Sequence, residues 1–170
     1  MLLVTSNDYI LNQDKYDSIV NQVNLTNISC PHCHHKGLHR MGTYERSMEN
    51  HQTHEVFKLT VQRVRCPHCG HTHALFCGDM IPYVSISVLT CLIVINLVTI
   101  TRAEQSLQRH EYLNHERLRR ILHTYNHSWK HKLNALNLNI NSPNLQSQTS
   151  KLCNHIFMQN HRGNIYHMTR

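Results

Sequence analysis

Cys30-Pro31-His32-Cys33 and Cys66-Pro67-His68-Cys69 are near copies of one tetrapeptide, and how they are read decides the fold. Two residues between the cysteines let both sulfurs of a pair reach one ion from a tight turn. Two such turns at the ends of a β-hairpin close a tetrahedral cage of four thiolates, a donor set that suits Zn2+. Cys30, Cys33, Cys66 and Cys69 are therefore the expected ligands. Gly70 follows the second motif and can take the positive φ such a turn often needs. His34 holds the equivalent place after the first motif, so that turn is expected to be less regular.

The 32 residues between the motifs have the length and pattern of a hairpin. Phe57, Leu59 and Val61 alternate with Lys58, Thr60 and Gln62, the period of a half-buried strand. Residues 38–47 are a weaker strand candidate, and the polar residues 49–53 turn one into the other. A short third strand is expected over residues 73–76. Residues 30–79 thus read as a zinc ribbon. Residues 1–29 read as a polar, Asn-rich leader with a short helix near residues 17–23.

Apolar residues make up 40% of the 170-residue chain, and a ribbon of this size has little core of its own. Structural zinc supplies on the order of 10–16 kcal/mol of apparent binding free energy, which goes largely into folding. Four protein thiolates leave no open coordination position, so the site is not expected to activate water. Other chemistries fit the same residues less well. A thiol oxidant needs its first Cys at a helix N-terminus, whereas Gly37, Gly42, Gly70 and Gly78 surround these motifs. Cys30 to His34 matches the haem-attachment pattern, but no export signal accompanies it. A zinc deaminase needs His-x-Glu ahead of Pro-Cys-x-x-Cys, and here His54 and Glu55 are adjacent. Among the 17 His and seven Cys, His71, His73 and Cys77 lie near the second motif. They either substitute as ligands or pack around the ribbon. Cys91 reads as a core residue, and Cys153 has no assigned role.

Residues 80–101 carry no charge, and residues 88–100 are dense in Leu, Ile and Val. That length touches the lower limit for a membrane helix. Ser85, Ser87, Thr90, Asn96, Thr99 and Thr101 interrupt it, so a buried helix at the centre of a small helical domain is expected. Pro82 can open that helix, which would end near Val98. Thr101-Arg102-Ala103-Glu104 is a capping box for a second helix reaching about Arg109. A connection through Tyr112 and Leu113 leads to a third helix starting near Asn114. Its apolar positions, Leu118, Ile121, Leu122, Tyr125, Trp129 and Leu133, fall on one stripe. The fold class is α+β: a small ribbon, then a three-helix, helix-turn-helix-like bundle over residues 80–134. Residues 135–170 read as an Asn-rich linker and a basic tail.

The formal charge is +7, and ten of the 17 Lys and Arg lie beyond residue 99. An anionic partner would be met there. The start of the chain does not read as a signal peptide, so a reducing, cytoplasmic setting is expected. On the third helix Glu116, Arg120, His123, His127 and Lys130 point away from the apolar stripe, flanked by Arg117 and Arg119. Such a helix can enter a major groove of double-stranded DNA. Phosphate contacts would come from Arg117, Arg119, Arg120, Lys130 and Lys132, and base contacts from His115, Arg119 or Arg120. RNA is an alternative partner, and a homo-oligomer is compatible with the pattern.

The two Cys-Pro-His-Cys motifs, Gly42-Thr43-Tyr44-Glu45-Arg46, the run Val64-Arg65-Cys66-Pro67-His68-Cys69-Gly70-His71-Thr72-His73-Ala74-Leu75 and Ile81-Pro82-Tyr83 resemble one bacterial zinc-ribbon family. That family is related to the N-terminal regions of insertion-sequence transposases. The resemblance covers roughly residues 28–135 and implies a ribbon followed by a helix-turn-helix, both binding transposon ends. Such transposases cut DNA with three carboxylates that hold Mg2+. No Asp or Glu follows Glu116 here, so binding without cutting is expected. Two rival readings are a zinc-stabilised interaction and oligomerisation module, and a zinc protein anchored in a membrane through residues 80–101.

Overall fold

The computed structural model describes residues 2–4, 10, 12–96, 114–141, 145 and 148. The expected second helix near residues 101–109, the connection through Tyr112 and Leu113, Cys153 and the basic tail lie outside the described residues.

The architecture is α+β. Strand β2 (His39–Glu49) and strand β3 (Val56–Arg65) form the antiparallel hairpin that the alternation predicts, both somewhat longer than expected. β4 (Thr72–Cys77) is the short third strand and pairs with the far end of β3. The β2–β3 register shifts between Arg40 and Thr43, where Gly42 takes a φ of 65°. An extra residue there bends the strand, and glycine accepts the left-handed conformation without a side-chain clash.

The segment read as a polar leader is instead part of this unit. Leu2–Val4 forms β1 and pairs in parallel with β4, giving the sheet order β1-β4-β3-β2. Helix α1 (Gln13–Asn21) is capped by Asn12, whose side chain accepts the Lys15 amide. It starts four residues earlier than the sequence reading placed it. Tyr16, Ile19 and Val20 are buried against β3 and β4. The Tyr16 hydroxyl donates to the Leu75 carbonyl and accepts the Gln62 amide, each at 2.9 Å. Gln62 and Leu75 would be the next antiparallel pair after Arg63 and Ala74, so the phenol stands in for a missing ladder bond. Gln13 acts similarly, accepting from the Thr60 amide and donating to the Thr60 carbonyl. The leader's interspersed Asn and Gln hid this role, because its apolar residues, among them Leu2, Val4, Tyr16, Ile19 and Val20, form no long run.

Two cores result. One gathers the residues from Leu2 to Met80 around the sheet and α1. The second gathers Ile81, Ile86 and the helices that follow. Helix α2 runs Val88–Asn96 within the described residues. The expectation that Pro82 opens it is corrected: residues 81–87 form a pinned turn, and Ser87 is the cap. Its hydroxyl accepts the Thr90 amide at 3.1 Å, the bond an N-cap serine makes. Cys91 is buried in the second core, as its apolar setting predicts.

Helix α3 (His115–Thr124) is capped by Asn114, whose side chain accepts the Arg117 amide at 3.0 Å. A π-turn over Tyr125–Trp129 joins it to α4 (Lys130–Ala135). The sequence accounts for that turn. The steps Ile121–Tyr125–Trp129–Leu133 are all of four residues, and each overshoots an α-helical turn by about 40°. A wider turn absorbs the drift, and Trp129 and Leu133 stay buried with Leu118 and Ile121. Among the described residues, no helix is long and apolar enough to cross a membrane.

Candidate metal centre and the basic helix

Each Cys-Pro-His-Cys motif folds into the same knuckle. In the first, the Cys30 amide donates to the His35 carbonyl and the His34 amide to the Cys30 carbonyl. In the second, the Cys66 amide donates to the His71 carbonyl and the Gly70 amide to the Cys66 carbonyl. The turn closes at φ 62° for His34 and 73° for Gly70. The first turn was expected to be less regular. It keeps the backbone of the second, and the imidazole-bearing residue carries the left-handed strain.

The knuckles face each other across the base of the hairpin. Cys30 and Cys69 sulfurs lie 3.6 Å apart, as do those of Cys33 and Cys66. All four lie within 4.8 Å of one another. A tetrahedron with metal–sulfur bonds of about 2.3 Å places its sulfurs about 3.8 Å apart. The four cysteines thus stand in a geometry able to bind a metal ion. Cys30 and Cys66 are buried, while Cys33 and Cys69 are half-buried.

The thiols oppose one another without a cation. Burial disfavours the Cys66 thiolate, but the Cys69 and His68 backbone amides outweigh it and hold this thiol down at about 7. For Cys69 the His71 amide favours ionisation, yet burial and the sulfurs of Cys33, Cys30 and Cys66 push it up to about 12. Once the first sulfur carries charge, the next ionises only if positive charge enters the cage.

The neighbouring histidines divide into roles the sequence left open. His73 is buried, and its Nε2 lies 3.5 Å from the Cys30 sulfur. Burial, with the nearby His71 and His32, holds the His73 imidazole down at about 4. A neutral ring there can supply an N–H to the Cys30 sulfur. Cys77 is buried in β4, and burial pushes its thiol up to about 12; it is not among the four sulfurs that converge. His71 reaches across the site instead. The rings of His32 and His71 stack at 3.7 Å, and those of His35 and His68 at 5.0 Å. The third residue of each motif therefore packs on the histidine that closes the other knuckle. The signal was in the sequence, since both copies read Cys-Pro-His-Cys-x-His.

The expected DNA contacts all lie on α3 and α4. His115, Arg119, Arg120 and Lys130 are exposed, and Arg117 and Lys132 are half-buried. Arg119 Nη2 lies 3.1 Å from His115 Nε2, and Arg120 bonds Glu116 at 2.9 Å. Both members of the second pair are about three-quarters exposed. Such a pair contributes little to stability and leaves the guanidinium accessible to a phosphate.

The profile of a family described as a domain of unknown function (DUF6431) matches residues 30–121, from the first clustered cysteine into the middle of α3. The chain belongs to this family. The DUF6431 match takes in all four sulfurs, the hairpin, α2 and the first turns of the basic helix. It leaves out β1 and α1, although both are packed into the ribbon core. No curated protein matches the chain, and no solved structure does.

Proposed function

We propose that this chain is a zinc-dependent DNA-binding protein, related to the ribbon and helix-turn-helix portion of insertion-sequence transposases and lacking their cutting activity. Cys30, Cys33, Cys66 and Cys69 would hold Zn2+, whose role is to order the ribbon. The observation that carries the metal half is the pair of 3.6 Å sulfur contacts between opposed knuckles. The donor set is all thiolate and tetrahedral in spacing, which favours zinc over harder cations.

The DNA half rests on α3. Leu118 and Ile121 anchor one side of the helix in the second core, leaving His115, Arg119 and Arg120 displayed on the other. In this reading the helix enters the major groove, with Arg117, Lys130 and Lys132 beside the phosphates. The role is binding the ends of a mobile element or regulating transcription, inside the cytoplasm. A second reading, an oligomerisation module, is favoured by Ile93, an apolar residue of α2 that stands 47% exposed.

Selection from random duplex DNA, with Cys66→Ser as control, tests the proposal. The expected result is an enriched motif that disappears in the variant. Replacing Arg119 or Arg120 should also lower the salt dependence of binding by about one unit. No enrichment at low salt, together with tight self-association, would replace this reading with the oligomerisation one.

A further inference from the structure

A cavity of about 490 Å³ opens between the sheet and the turn that precedes α2, with Tyr44, Arg46, Thr72, His73, Phe76 and Tyr83 on its walls. The turn is held from both sides. Ile81 and Ile86 are buried in the second core. Arg46, its guanidinium 5.0 Å over the Phe76 ring, donates to the carbonyls of Ile81 and Val84. Tyr83 lies between these anchors. It takes a φ of 63°, and its side chain is fully exposed at the mouth of the cavity. A large aromatic residue in the left-handed region, with none of the described residues covering its ring, gains neither packing nor backbone comfort. The fixed turn holds that ring where a planar ligand could meet it.

The rest of the cavity has matching chemistry. Phe76 and half-buried Tyr44 give it aromatic faces. The Thr72 hydroxyl accepts from Arg63 at 2.9 Å, so a second guanidinium stands at the margin. Ser47 and Ser85 add hydroxyls. The volume lies within the range of small-ligand sites. Aromatic faces, hydroxyl and imidazole edges and bordering guanidiniums together fit a base with its neighbouring phosphates. With Arg46 on its wall and Arg63 at its margin, a polyanion is the favoured source of that base.

We propose that this groove binds an unstacked nucleobase of single-stranded nucleic acid, with Tyr83 as the stacking face and Arg46 and Arg63 beside the flanking phosphates. The proposal rests on the nucleic-acid-binding reading of the chain and adds a second, strand-selective site to it. His73 forms one wall of the groove and also contacts the Cys30 sulfur, so the site lies directly behind the metal centre.

The test uses the full, zinc-loaded chain and fluorescence anisotropy. The probe is a labelled single-stranded DNA of about 12 nucleotides, within the usual site size. An oligonucleotide with abasic sites throughout and a duplex of the same sequence are measured alongside. Tyr83→Ala should weaken single-strand binding about tenfold or more, and Tyr83→Phe should retain it, because stacking needs only the ring. Ala74→Trp, which fills the groove, should block the site while zinc content and circular dichroism stay unchanged. Equal binding of the abasic strand, or no effect of Tyr83→Ala, overturns the proposal. So does displacement of the strand by a proline-rich peptide that itself binds in a Tyr83-dependent way. If Arg119 and Arg120 variants still lose duplex binding, only the groove fails. If neither strand form binds, the nucleic-acid reading fails with it.

Discussion

Glu49, the last residue of β2, accepts the backbone amide of Ser87 at 3.1 Å, joining the ribbon to the first turn of α2. The same carboxylate takes the Thr90 hydroxyl and the His54 ring nitrogen, each at 3.1 Å, and is fully buried. Asp79 works beside it, accepting the amides of Val88 and Ile10. Two acidic side chains thus meet the positive end of an apolar helix, where negative charge is favourable.

Glu49→Ala should therefore destabilise the chain by at least about 2 kcal/mol, since two buried donors, the Ser87 amide and the Thr90 hydroxyl, lose their acceptor. Urea unfolding followed by tyrosine and tryptophan fluorescence measures it. Tryptophan emission, from Trp129, reports the second core, whereas tyrosine emission, with Tyr16 and Tyr44 in or against the first core and Tyr125 against the second, reports both. The transitions of the two probes should separate in the variant and coincide in the parent.

Asp79 should give stability a distinctive pH dependence. Burial pushes its carboxyl from 3.8 up to about 7, against its two amide hydrogen bonds, and the nearby Glu49 adds to the rise. An acid raised on folding stabilises fully below its unfolded value and loses that contribution as pH climbs through the folded one. The parent should lose about 1 kcal/mol from this group between about pH 6 and 8, relative to Asp79→Asn. Denaturant midpoints of both proteins in excess zinc check this. Parallel pH profiles would show that Asp79 stays ionised throughout.

Metal removal should unfold the ribbon. The chain as purified should carry one zinc per molecule, read by elemental analysis, and a strong chelator should abolish its near-ultraviolet dichroism. Cys66→Ser should lose both metal and fold. His73→Ala should keep the metal but hold it more weakly, by about tenfold or more, because only a hydrogen bond to the Cys30 sulfur is lost. Retained dichroism after stoichiometric zinc has been stripped would sink the structural role.

The two knuckles offer a matched comparison. At Gly70 an added Cβ would meet Arg65 at an ordinary 3.6 Å, so Gly70→Ala tests backbone strain alone. It should cost about 1–2 kcal/mol. His34 already carries that strain, and His34→Gly should recover about 0.5–1 kcal/mol after the added freedom of the unfolded chain is counted. Thermal unfolding in excess zinc measures both.

The parts of this fold that a sequence displays are those governed by short-range rules. The paired Cys-x-x-Cys spacing, the alternation from Phe57 to Gln62 and the apolar stripe from Leu118 to Leu133 each follow from local geometry. The start of α2 was misread because Pro82 is a common first residue of helices. Ser87, with Thr90 three residues on, was the better signal, but its decisive partner is Glu49, far away along the chain. Leu2–Val4 was too short to show as a strand without β4 beside it. The role of Tyr16 depends on a gap between β3 and β4 that exists only once the sheet has formed. For the candidate metal centre, the convergence of the four cysteines was legible. Their histidine neighbours were not sorted, because stacking across the knuckles depends on how the two motifs face each other.

The side chains of Gln13 and Tyr16 occupy the amide and carbonyl of Thr60 and the amide of Gln62, which β4 does not reach. Open groups of that kind invite a foreign strand, and proteins shield them to stay monodisperse. The first helix is thus a safeguard against edge-to-edge polymerisation as well as a piece of the core. A chain cut just before Cys30 would keep all four clustered cysteines and yet present a bare, β-rich margin to its neighbours. Its expected fate is concentration-dependent clumping into sheet-like aggregates.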